Sequence, residues 1–156
     1  MKNGKLFIKA WILVGLLDIL AAFISFYLST GKSPLIVLKF IASAVLGQSA
    51  YTPESGSIWI GLLLHFTIAF LFTAFFFLLY KPFRLFKVQW VFLGVIYGLV
   101  IWLVMNKLVL PLTLVKQQPF NWMDAARAVL ILITMIGLPL SWMLKKAGKQ
   151  PLAFSN

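Results

Sequence analysis

The chain has 156 residues, 62% hydrophobic and only 11% charged, with a mean hydropathy of +1.00. A soluble domain carries about 25% charged residues, so these few charges cannot cover a globular surface and lipid must be the solvent for most of the chain. The lack of cysteine and the single histidine exclude disulfide frameworks, thiolate metal sites and a bis-histidine haem within one chain.

The length allows one bundle of about four spans, a single integral membrane domain over residues 1–156. The net charge of +11 comes from 14 Lys and Arg against three acids, Asp18, Glu54 and Asp124. Because the basic residues flank apolar runs, they speak for topology and anionic lipid headgroups rather than for nucleic acid.

Met1 to Lys9 carries Lys2, Lys5 and Lys9 ahead of the apolar run Trp11 to Leu28. A signal peptide has this polarity, but the run is longer than the usual apolar core, contains Asp18 and lacks a small-residue cleavage site. A retained first span over about 8–29 is expected. Gly15, Asp18, Ala22, Ser25 and Ser29 recur along it at three and four residues, one small and polar stripe that faces a bundle.

A short helix follows over about 34–47, with Ser33 as its cap and Pro34 at its first position. At about 21 Å it is too short to span, so an interfacial or re-entrant helix fits, with Lys39, Ser43 and Gly47 on one face. YTPESG, Tyr51 to Gly56, is a polar turn.

The second span, about 58–80, holds no formal charge but includes His65, with Gly61, His65, Ala69 and Thr73 along one strip. Measured from the outer ends of the two spans, His65 lies about one turn from Asp18, which motivates an Asp18–His65 hydrogen bond. The Phe-rich run Phe70 to Phe77 is expected to face lipid. Lys81, Arg84 and Lys87 crowd the short loop that follows.

The third span, about 89–108, ends at Asn106 before Pro111, which forbids easy continuation. It carries Gly94-x-x-x-Gly98, a packing motif that lets backbones approach and marks a candidate dimer face, and Tyr97 could donate a hydrogen bond into the bundle. Thr113 to Phe120 is a connector with Lys116.

Asn121 reads as an N-cap with Asp124 three residues on, in a capping-box-like arrangement. The fourth span, about 122–144, kinks around Pro139. Asp124 and Arg127 form an i, i+3 pair, and Arg127, Thr134, Gly137 and Ser141 share a side. Trp59, Trp90, Trp122 and Trp142 are interfacial anchors near span ends.

The N-terminus, the 81–87 loop and the tail carry nine Lys and Arg, against five in the other two connectors and their flanks. The positive-inside rule then puts both termini in the cytoplasm. Asp18, His65, Asn106, Asp124 and Arg127 all fall in the outer half and form a candidate intramembrane polar site, because ionisable groups at that depth are costly unless they serve or pair.

Gly61 to Phe70 (G-x-x-x-H-F-x-I-A-F), Gly94 to Gly98 (G-x-x-Y-G), Met105-Asn106 with Pro111 to Thr113, and Gly137 to Pro139 resemble the pattern of a family of small bacterial integral membrane proteins. The likeness covers roughly residues 33–140. A more distant similarity to the YagU type of inner-membrane protein, a type linked with acid tolerance, accompanies it. The resemblance implies four spans in a bacterial inner membrane and supplies no reaction.

Three functions are then in view. A non-enzymatic inner-membrane protein, acting as a partner subunit or in envelope and acid-stress homeostasis, leads because no catalytic or cofactor motif is present, so no cofactor is expected. A small proton- or cation-coupled transporter or channel using Asp18 and His65 comes second. Four spans enclose little volume, so a substrate path would call for a homo-oligomer or a membrane partner. A membrane enzyme with His65 as base comes third; no G-x-S-x-G, H-E-x-x-H or second histidine accompanies it.

Overall fold

The fold is all-α. A computed structural model describes residues 2–53, 56–85, 89–115 and 119–148, and no strand occurs among them. Helix α1 runs Lys2–Thr30, α2 Leu35–Leu46 with a 3-10 turn Gly47–Tyr51, and α3 Ser57–Leu85. Helix α4, Trp90–Val104, continues through a π-helical turn Met105–Val109 and a 3-10 turn Leu110–Leu112. Helices α5, Trp122–Ile131, and α6, Leu138–Gly148, are joined by a second π-helical turn, Leu132–Gly137, into one rod.

Four stretches are long and apolar enough to cross a membrane: Gly4–Thr30, Ser57–Tyr80, Trp90–Leu112 and Trp122–Ala147. At 1.5 Å per residue they reach about 35–40 Å, against a hydrocarbon core of about 30 Å. Their outward faces are lined with exposed Leu, Ile and Phe, including Leu28, Leu63, Leu78 and Leu130. Apolar surface this extensive is stable in lipid and not in water. The chain is a multi-pass membrane bundle with a fifth, short helix.

Both π-helical turns precede a proline. A proline inside a helix has no N–H to give and crowds the carbonyl four residues back. Widening the preceding turn to i→i+5 bonding removes that crowding. The third span therefore does not stop at 108, as the sequence suggested; it continues to Leu112, with Pro111 in the first positions of the 3-10 turn. Ahead of Pro139, where the sequence predicts a kink, the helix widens into the π-helical turn Leu132–Gly137.

Helix α1 packs on α3 and on the fourth rod, which in turn packs on α4. The α4 contact is glycine-made. A Cβ on Gly94 would lie 2.9 Å from the Gly137 carbonyl oxygen, and one on Gly98 would lie 2.7 Å from Ile133 Cα. Gly94 and Gly98 thus serve packing within the chain, against a third glycine of the fourth rod, and the expected dimer face is already occupied. Tyr97 Oη donates to the Phe72 carbonyl and Trp11 Nε1 to the Phe66 carbonyl, 2.8 Å away, tying α4 and α1 to α3. Such interhelical bonds in a membrane contribute about 0.6 kcal/mol each.

The Phe-rich run does not simply face lipid. Phe76 is fully buried in the core with Tyr97, Ile101 and Leu140, and Phe70 and Phe77 meet Phe7 edge to face. Phe75 faces outward. Among the expected anchors, Trp59 and Trp122 are strongly exposed, whereas Lys145 and Lys146 stack over Trp90 and Trp142 at 5.1 Å, a cation–π arrangement at one end of the bundle.

Helix α2 lies against α3, close enough that any side chain at Gly61 would strike the Leu38 backbone. Gly31 and Gly47 flank it with φ of 65° and 56°, left-handed values that cost other residues steric strain. The Ser33 hydroxyl does not cap α2, contrary to the sequence reading: Pro34 holds the cap position, and the first turn is closed by the Ile36 N–H on the Ser33 carbonyl. Of the polar turn, Glu54 lies outside the described residues, as do Lys87, Lys116 and the end of the tail; α3 itself carries on past Tyr80 through Lys81 and Arg84.

Candidate functional site

The strip Gly61, His65, Ala69 and Thr73 is the buried face of α3. Thr73 bonds back to the Ala69 carbonyl, which satisfies its hydroxyl inside the helix. His65 reaches across to α1, with Nε2 2.8 Å from the Gly15 carbonyl oxygen. A carbonyl only accepts, so Nε2 carries the hydrogen, and Nδ1 is left as the ring's acceptor. Gly15 has no side chain in the way; a Cβ there would sit 2.8 Å from the Phe66 ring.

The predicted Asp18–His65 hydrogen bond is not formed. No ring nitrogen comes within 4.0 Å of the carboxylate. The reason is register. Helix α3 begins under α2, roughly 10 Å deeper than the outer end of α1, so His65 comes level with Gly15 instead of one turn outward of Asp18.

Asp18 and His65 border one cavity of about 330 Å³. Its walls come from every long helix and from α2: Ile41, Ala44 and Val45 of α2, Leu64 and Ile68 of α3, Ile101 and Met105 of the third span, and Leu132 and Ile136 of the fourth. Nearly all of that lining is apolar. The connector after α4 closes the rim, held by the Leu114 N–H on the Ala44 carbonyl at 3.0 Å. No hydrogen bond or ion pair reaches the Asp18 carboxylate among the described residues.

The other predicted residues gather elsewhere. Asn121 caps α5 through its side chain, 2.9 Å from the Met123 N–H. Asp124 turns to Arg127, 3.5 Å away, and Arg127 Nη1 donates to Ser29 Oγ of α1 at 2.8 Å. Both members of the ion pair are exposed, so the pair contributes roughly 0–1 kcal/mol. Asp124 and Arg127 border a cavity of about 570 Å³ with Ala22, Ser25 and Ser29, the outer part of the small and polar stripe of α1. Asn106 and Asp124 border a further one of about 410 Å³, and Asn106 Nδ2 donates to the Trp102 carbonyl within its own helix. The five candidates therefore form two groups, a deep pair and an outer set.

Sequence reasoning missed the residue between these groups. Phe40 of α2 borders the deep cavity, both outer ones and a fourth lined by Gln48 and Tyr51. Read as an interfacial or re-entrant helix, α2 offered no reason to single out Phe40; the signal for its contact with α3 is Gly61, a bare spot for a crossing backbone. Among the described residues no three metal-ligating side chains come together. No protein-family model, curated protein or solved structure matches the chain.

Proposed function

We propose that this chain is a non-enzymatic protein of the bacterial cytoplasmic membrane that carries or exchanges a proton or cation at Asp18, with His65 as its neighbouring base. One observation carries the reading: a carboxylate without a hydrogen-bond or ion-pair partner borders an apolar cavity inside four long apolar helices. A structural acid at this depth would have a partner, since leaving a charge unpaired costs several kcal/mol. A group that must take up and release a ligand cannot be permanently paired. The distribution of Lys and Arg favours both termini in the cytoplasm, and membership in the four-span family that the motifs resemble belongs to the same proposal. The outer residues Asn106, Asp124 and Arg127 then face the far side, where they line the approach.

The test is proton flux in proteoliposomes under an imposed pH gradient. Wild-type protein dissipates the gradient faster than empty vesicles, and Asp18→Asn returns the rate to that background. Equal rates in wild type, variant and empty vesicles, with or without an added cation, would leave Asp18 a structural residue and return the protein to the role of a partner subunit.

A further inference from the structure

We infer that the ligand of the Asp18 cavity is an apolar organic monocation, such as a quaternary ammonium carrying an aromatic ring; this rests on the reading that Asp18 handles a proton or cation. Charge decides the sign. Among the described residues Asp18 is the only acid bordering the cavity, and no basic side chain other than His65 borders it, so an anion is repelled and a single positive charge is matched.

The walls decide the class. Sodium, potassium or a divalent ion needs roughly six oxygen ligands or retained water. Here the described lining offers one carboxylate, one imidazole and one hydroxyl, that of Thr113, too few oxygens to replace a hydration shell. The remaining surface is hydrocarbon, which favours a ligand that brings its own apolar coat. Phe72 adds an aromatic wall, which attracts a cation over its face by about 0.5–2 kcal/mol. The volume of about 330 Å³ falls at the small end of the roughly 300–1,000 Å³ usual for ligand sites, which limits the guest to one ring and a small ammonium head. The gap between His65 and Asp18 leaves the carboxylate free to meet it.

The experiment titrates the full chain in lipid nanodiscs with benzyltrimethylammonium by calorimetry, with empty nanodiscs as background. Its uncharged carbon isostere, neopentylbenzene, is the comparison. Wild type should bind one cation per chain, and the isostere at least tenfold more weakly. Asp18→Asn should weaken the cation at least tenfold. Ala44→Phe, which fills the cavity from α2 and leaves Asp18 in place, should do the same and carries the test if the first variant fails to fold. Equal affinity for cation and isostere, or undiminished binding in both variants, overturns the inference. So does no binding to wild type. In that last case, proton flux that still depends on Asp18 shows that the ligand class alone was wrong, and its absence removes the underlying reading as well.

Discussion

Asp18 and His65 were both legible as candidates because ionisable side chains are rare in a stretch this apolar, and rarity at depth is itself information. Their partners were not legible. Pairing residues by distance from the span ends assumes that the ends are level, and here α3 starts beneath α2. The consequence for stability separates the two residues. His65 is anchored on Gly15 and packed, so His65→Ala loses an interhelical bond and leaves a void, costing about 1–3 kcal/mol. Asp18 loses no protein partner on change to Asn, so that variant should melt at or above the wild-type temperature. Thermal unfolding in detergent followed by circular dichroism checks both, and a large drop for Asp18→Asn would mean that the carboxylate is held by a contact the structure lacks.

Helices show the same division between what patterns say and what packing adds. The number and approximate limits of the long helices followed from apolar runs and flanking charges, and Asn121 announced the start of α5. The continuation past Pro111 was hidden, because a proline read alone forbids helix and gives no sign that a wider turn can precede it. The place of α2 was hidden for a different reason: a short, mostly apolar helix looks alike whether it rests on a membrane or walls a cavity. Glycine contacts give this scale its prediction. Gly98→Val drives side-chain atoms into the Ile133 backbone and should destabilise the bundle by about 2 kcal/mol or more. Gly4→Ala meets nothing within 4 Å and should stabilise α1 by about 0.5–1 kcal/mol. Denaturant titration of the two variants side by side would show opposite shifts, and equal behaviour would contradict the α4 packing.

At the scale of the molecule, the proposed orientation rests on basic residues gathered at one side, several of them beyond the described residues. The chain has no cysteine, so single cysteines can be placed without background. Ser33→Cys should react with a membrane-impermeant maleimide in intact spheroplasts, and Asn3→Cys only after permeabilisation; the reverse pattern would invert the topology. The cavity itself has unequal walls. Four are rods that cross the full bundle, locked by glycine contacts and carbonyl-bound side chains. The fifth is α2, a short panel between two left-handed joints, Gly31 and Gly47, that presses its Leu38 backbone onto Gly61 of α3. The capacity of the site is therefore set by a short panel seated on α3 at Gly61, and whatever holds that panel down also fixes the bulk of guest that fits beside Asp18 and His65.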